Sequence, residues 1–233
     1  MSVLTIADSA AQALGTINDG ATVMIGGFGA AGQPVELIEA LLDSGAKDLV
    51  IVSNNAGNNE DPLATLFKEG RVRKILCSFP RQADSWHFDA AYRAGQVELE
   101  LVPQGNLAER IRAAGAGIGG FFTPTGYGTD LAKGKETRAF NGINMVFEQA
   151  IHADVALIKA YKADKVGNLV YRKTARNFGP IMATAAQRTV VQVQHVVETG
   201  ALDPESVVTP GIFVHTVVAI KQDYVTALEE AAS

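Results

Sequence analysis

The run Leu49-Val50-Ile51-Val52 is apolar at four consecutive positions before it reaches Ser53. A strand with one wet face alternates polar and apolar residues, so an unbroken run belongs to a sheet covered on both sides. The segment before it has helical periodicity. From Pro34 to Ser44, Leu37, Ile38, Leu41 and Leu42 share one face, Pro34 suits the first turn, and Gly45 supplies the stop. The same order recurs downstream. Pro62 to Glu69 with Gly70 precedes Ile75–Phe79, and Ser85 to Ala94 with Gly95 precedes Val97–Val102. Asn106 to Ala114 with Gly115 follows, then strand-like runs at Val155–Ala160, Leu169–Arg172 and Thr189–Val193, with Pro180–Ala186 as a helix between the last two. Strands alternating with helices predict an α/β fold, a mostly parallel open sheet with helices on both faces, carrying a β-rich insertion around Phe140–Phe147. The 233 residues are read as one domain over 1–233, with the last ~10 residues as a peripheral tail.

Composition removes several function classes. A net charge of -5 argues against nucleic-acid binding, which wants a basic surface. One cysteine, Cys77, excludes a disulfide framework and any cysteine-built zinc or iron–sulfur site. No Lys or Arg precedes Lys47, so neither a secretory signal nor a transit peptide is expected. The charge-free stretch Ala113 to Thr129 holds six glycines and Pro124, which is unsuited to a membrane span. The expectation is a soluble cytoplasmic protein, with neither membrane nor nucleic acid as partner.

Two glycine-rich stretches attract chemistry. Thr22–Ile25 runs into Gly26-Gly27-Phe28-Gly29-Ala30-Ala31-Gly32, and a helix opens at Pro34. Gly27, Gly29 and Gly32 satisfy G-x-G-x-x-G in the strand–loop–helix setting where backbone N–H groups and a helix N-terminus meet phosphate. A dinucleotide site also wants an acidic residue at the end of the second strand. Ser53-Asn54-Asn55 stands there instead. A nicotinamide-dependent oxidoreductase, a module binding a phosphorylated metabolite, and a plain tight turn all remain open on these residues.

The second stretch is Pro103-Gln104-Gly105-Asn106 with the glycine-rich run Gly115 to Thr129. Asn106 and Glu109 have capping-box spacing. That leaves Gln104 at the C-terminal end of a strand, where open α/β sheets hold their ligands. The Gly115–Thr129 run reads as a long functional loop rather than as packing. His87, His152, His195 and His215 are scattered without ligand spacing, and no metal site is expected. Basic residues cluster at Lys68–Arg81 and Lys159–Arg176, which permits an anionic ligand.

Five segments together carry a resemblance: Gly26–Gly32; Pro103-Gln104-Gly105 with Leu107–Arg112; Thr123-Pro124-Thr125-Gly126-Tyr127-Gly128-Thr129; Ala175-Arg176-Asn177-Phe178; and Val208-Thr209-Pro210-Gly211. In this order they resemble the A subunits of 3-oxoacid CoA-transferases. Ser53-Asn54-Asn55-Ala56-Gly57-Asn58 and Cys77-Ser78-Phe79-Pro80-Arg81-Gln82 are most similar to the branch that moves CoA from succinyl-CoA to 3-oxoadipate, acetoacetate being the alternative acceptor. The resemblance implies a coenzyme A thioester as substrate, no permanently bound cofactor, and a glutamyl-CoA intermediate on a partner B subunit, in an A2B2 heterotetramer. The nucleophilic glutamate belongs to that partner, and this chain's thirteen glutamates are assigned no such role. For this chain it implies Gln104 as donor to the oxyanion, and Gly26, Gly27, Phe28, Gly29, Ala30, Ala31 and Gly32 as the CoA-binding segment. Asn54 and Arg81 are expected to meet the acyl substrate, Arg81 as a clamp for a second carboxylate.

Overall fold

The computed structural model describes residues 4–81 and 83–220. Gln82 and the C-terminal segment read as a tail lie outside them. In chain order the elements are β1 (Thr5–Ala7), α1 (Ala10–Leu14), β2 (Thr22–Ile25), α2 (Val35–Asp43), β3 (Leu49–Val52), α3 (Pro62–Lys68), β4 (Val72–Cys77), α4 (Trp86–Arg93), β5 (Glu98–Leu101), α5 (Gln104–Gly115) and β6 (Gly120–Thr123). There follow β7 (Thr137–Phe140), β8 (Ile143–Gln149), β9 (Ala153–Lys159), β10 (Lys162–Asp164), β11 (Leu169–Val170), α6 (Gly179–Ala185), β12 (Ala186–Val193), β13 (His195–Val197) and β14 (Thr216–Ala219).

The apolar run at Leu49–Val52 is buried along its whole length, as its composition demands. It sits inside an eight-stranded sheet of order β1-β14-β12-β9-β2-β3-β4-β5 in which every pairing is parallel. Alternate strand residues divide between two cores. Val23, Ile25, Leu49, Ile51 and Leu157 pack with Leu37, Ile38, Leu66 and Phe88 of α2, α3 and α4. Met24, Val50, Val52, Ala156 and Ile158 face the other way, against Leu107 and Ile111 of α5 and Met182 of α6. Helices therefore cover both faces, and burying a Leu or Ile side chain at each position contributes about 1.5–3 kcal/mol. β5 closes one edge with Glu98 and Glu100 alternating between its leucines, a charged pattern that discourages further strand pairing.

Two small sheets extend this frame. β10 and β13 continue past the ends of β9 and β12 and pair parallel, with β11 antiparallel on β10. β6, β8 and β7 form an antiparallel sheet, wider than the insertion expected around Phe140–Phe147. Leu169–Arg172 shortens to the two-residue β11, because the chain turns at Arg172 into a 3-10 turn over Lys173–Arg176.

Other expectations are corrected. Helix α5 starts at Gln104 with Pro103 as its N-cap residue, so Asn106 lies within the first turn and caps nothing. Its amide is buried instead, donating to Glu148 Oε1 at 3.3 Å and toward the Thr125 carbonyl at 3.5 Å. Glu109 pairs with Arg112 rather than closing a capping box. The Gly115–Thr129 run is not one long loop. Gly115 ends α5, and Gly120 opens β6. Both are glycines for packing: a Cβ on Gly115 would stand 2.0 Å from Thr184 Oγ1, and one on Gly120 would stand 2.3 Å from Phe147 Cζ.

Gly115→Ala should therefore lower stability by about 1–3 kcal/mol through the forced separation of α5 and α6. Gly105→Ala, with open space around its Cβ, should be neutral or stabilising by up to about 1 kcal/mol. Urea unfolding of the two variants checks the contrast, and equal destabilisation would refute the packing role of Gly115.

Candidate active site

Because the strands are parallel, the segments leaving β2, β3, β4 and β5 all emerge at one end of the sheet. β2 lies between β9 and β3, and from there the chain builds outward on both sides. This is a topological switch point, where such sheets leave a crevice for ligand.

The wall after β3, β4 and β5 is built from amides. The Asn54 carbonyl continues the ladder, accepting from Ser78 N at 3.2 Å and Phe79 N at 3.0 Å. Its side-chain Oδ1 accepts from Ser78 Oγ at 2.7 Å and from Gln104 Nε2 at 3.3 Å. Val102 N donates to the Cys77 carbonyl at 3.0 Å, so Gln104 stands two residues beyond the last rung. Gln104 is exposed while Asn54 is buried. An acceptor at Asn54 Oδ1 fixes which end of the Gln104 amide faces it, leaving the second Nε2 hydrogen for a ligand. Two residues on, Asn106 joins a buried network in which Glu148 also receives Lys135 Nζ at 2.8 Å and lies 3.7 Å from Arg110. Removing one partner from such a network typically costs about 3–5 kcal/mol, so the start of α5 is firmly held.

The glycine segment forms the opposite wall, and its geometry differs from a phosphate loop. Phe28 and Ala31 exchange backbone hydrogen bonds at 2.9 and 3.2 Å, making a hairpin with Gly29 and Ala30 at its tip. Gly26 N donates to the Leu157 carbonyl at 3.0 Å, and Gly27 N donates to Asn177 Oδ1 at 3.2 Å. Within this segment only the N–H groups of Gly29, Ala30 and Gly32 are left without a partner among the described residues. The first turn of α2 is partly occupied as well. Leu37 N donates to Gln192 Oε1 at 3.3 Å, and Gln192 Nε2 donates to Glu36 in the first turn. With Glu36 there and no acid after β3, the dinucleotide and phosphate readings lose their support.

Arg81 lies after β4, its Nε 2.7 Å from Asp89 Oδ1 and its guanidinium 5.6 Å from the Tyr92 ring. It is held over α4 rather than drawn toward Gln104. Of the basic cluster, Lys68, Arg71 and Lys74 are held in pairs with Glu60, Glu69, Glu98 and Glu100. Lys159 ends β9 beside the crevice, and burial pushes its amine down while Glu36 pulls it up. The histidines have structural places: His87 meets Glu60, His195 lies edge-on to Tyr161, His215 accepts from Thr189 N, and His152 is exposed before β9. Glu198 is exposed and paired with Lys165 beyond β13. Asn177 and Gln192 carry no local pattern that marks them for a site, whereas Lys159 begins the second basic cluster. Asn177 lies in a segment of the family resemblance that assigns it no role.

Set against known proteins, residues 7–219 match the model of the coenzyme A transferase family. The chain belongs to that family. It is 61% identical over 224 residues to the A subunit of the 3-oxoadipate CoA-transferase of Pseudomonas putida, covering 96% of this chain and 97% of the relative. It is 64% identical over 210 residues to the corresponding A subunit of the 3-oxoadipate CoA-transferase of Acinetobacter baylyi, covering 90% and 92%. Among solved structures, an acyl-CoA transferase from E. coli O157:H7, in a thioester complex with CoA, superposes with TM-score 0.80 at 24% identity. That match covers 94% of this chain and 47% of the other, so this chain spans about half of that protein's length. What the two share is the fold.

Cys77 ends β4, one residue before Ser78. Burial pushes its thiol up to about 12, outweighing the Phe79 backbone N–H that lowers it. Held at about 12 rather than 9.0, the native thiol should react with a disulfide reagent at pH 8 about a thousandfold more slowly than in urea. Stopped-flow labelling in both states checks this, and fast native labelling would show that the end of β4 opens.

Proposed function

We propose that this chain is the A subunit of a CoA-transferase that moves CoA from succinyl-CoA to 3-oxoadipate, acting with a B subunit that supplies the nucleophile. The observation that carries the reading is its 61–64% identity, over at least nine-tenths of both lengths, to two 3-oxoadipate CoA-transferase A subunits. The amide wall gives this chain its task. In the proposed cycle, a B-subunit glutamate oxygen attacks the succinyl-CoA carbonyl, and the CoA thiolate leaves a mixed anhydride. The thiolate then attacks the glutamyl carbonyl of that anhydride, which frees succinate and forms glutamyl-CoA. A carboxylate of 3-oxoadipate repeats the exchange in reverse, and the glutamate is regenerated.

Each attack places negative charge on a carbonyl oxygen. Gln104, tethered through one N–H to Asn54, has the other to offer that oxygen without first reorienting. Asn54 is assigned the orienting role and contact with the acyl group. The glycine hairpin, with two spare N–H groups at its tip and a third at Gly32, is assigned to the CoA thioester. Arg81 remains the candidate for the distal carboxylate, since the ion pair to Asp89 engages Nε and leaves the two terminal nitrogens. An A2B2 assembly in the cytoplasm completes the proposal; among the described residues no helix is long and apolar enough to cross a membrane.

The test is co-expression with a B-type partner, followed by assay of succinyl-CoA with 3-oxoadipate and with acetoacetate, each chain alone serving as control. Activity confined to the pair and higher with 3-oxoadipate is expected. Preference for acetoacetate would keep the chemistry and remove the substrate assignment. In the assembled enzyme Gln104→Ala should cut kcat by about 10²–10³, or ~2.7–4 kcal/mol, with little change in KM. Arg81→Ala should reduce kcat/KM for 3-oxoadipate by about tenfold or more relative to acetoacetate. Equal losses on both acceptors would make Arg81 a purely structural partner of Asp89.

A further inference from the structure

The glycine hairpin is held by a residue far away in sequence. Asn177 follows the 3-10 turn at Lys173–Arg176. Its Oδ1 accepts from Gly27 N at 3.2 Å and from Phe178 N at 2.7 Å. Its Nδ2 donates to the Ala31 carbonyl at 2.9 Å and to the Thr174 carbonyl at 2.8 Å. All four capacities of the amide are used, two toward the hairpin and two toward its own turn. Gly27 and Ala31 lie on the two legs of the hairpin, so one side chain ties both legs to the segment before α6. Gly32 is the complement. A Cβ there would stand 2.5 Å from the Ala175 carbonyl and 2.8 Å from Asn177 Nδ2, so only glycine lets that segment close on the loop.

We propose that Asn177 and Gly32 form one clasp, and that Asn177 is a positioning residue which holds the Phe28–Ala31 hairpin in the geometry that receives the acyl-CoA. This rests on the reading of the loop as the thioester-binding wall. The amide chemistry is specific. Aspartate has the same shape but cannot donate, and its carboxylate would face two carbonyl oxygens. Alanine removes all four bonds. Glutamine is one methylene too long for the same two pairs of partners.

The test uses the assembled enzyme with its B-type partner. Variants Asn177→Asp, Asn177→Ala, Gly32→Ala and the double Asn177→Ala/Gly32→Ala are compared by steady-state kinetics and by amide hydrogen exchange. The expected result is faster exchange confined to residues 26–33, with KM for succinyl-CoA raised by about tenfold and kcat nearly unchanged. The double variant should be no worse than the more severe single variant, because both changes open the same clasp. Unchanged loop exchange in Asn177→Asp would overturn the clasp. Exchange raised throughout the sheet, or loss of assembly in both Asn177→Asp and Gly32→Ala, would make these residues part of the fold alone and overturn the positioning role. A loosened loop with unchanged KM overturns it as well, and Phe28→Ala at the exposed tip then separates the two readings. If Phe28→Ala raises KM, the loop still meets the acyl-CoA and only the role of Asn177 fails. If it is silent too, the loop assignment itself fails.

Discussion

Strand β9 pairs with β2 on one side and β12 on the other, in parallel register on both. Residues before it build the sheet out to β5, and residues after it build toward β1. Without this insertion, each half would expose an apolar parallel edge that neither half could cover, and parallel strands are stable only when buried. The same insertion creates the crevice. Chain leaving β2 enters the glycine hairpin, and chain leaving β9 continues into β10. Gly26 N reaches the Leu157 carbonyl there, so the first residue after β2 is bonded directly to β9. The seam between the two halves of the sheet is thus also the floor of the site.

Neutral donors border that floor on both walls, the Gln104 amide on one and the spare N–H groups of the hairpin on the other. The nearby cation, Lys159, is half-buried, and burial lowers its amine more than Glu36 raises it. Neutral donors suit charge that appears and disappears during a reaction, because they stabilise an oxyanion without binding a resting carboxylate too tightly. A set of donors with no nucleophile among them makes sense as half of a site whose other half comes from elsewhere. The buried Asn106–Glu148–Lys135 contacts serve the same end, since a donor is useful only if the helix that carries it does not shift.

Legibility in the sequence followed the strength of local signals. Helices α2 and α3 could be read because each buries a face whose period survives in the sequence, as Leu37, Ile38 and Leu41 show, and strands β3 and β9 because their apolar runs are unbroken. β1 and β14 were missed. Three or four residues such as Thr5-Ile6-Ala7 carry no period, and their pairing spans nearly the whole chain. Asn106 misled for a different reason. Its spacing to Glu109 is a locally valid cap, but Pro103 starts the helix earlier and the buried Glu148 claims the amide. Glycines in the 115–129 run signalled freedom when two of them, Gly115 and Gly120, mark places where neighbours stand too close for a Cβ.

The G-x-G-x-x-G spacing shows where a motif stops being informative. In a phosphate loop, its glycines free backbone N–H groups for a ligand. Here Gly27 N is bound to a residue 150 positions later, and the Phe28 and Ala31 N–H groups are bound to each other's carbonyls. No local pattern could reveal that, because the partner Asn177 is fixed by the tertiary fold. The more telling position was the end of the second strand, where a dinucleotide site needs a carboxylate and Asn54 stands instead. A carboxylate there would repel both a developing oxyanion and the acidic substrates proposed for this site. An amide accepts from Gln104 through its oxygen and carries no charge, and that is the substitution the proposed chemistry requires.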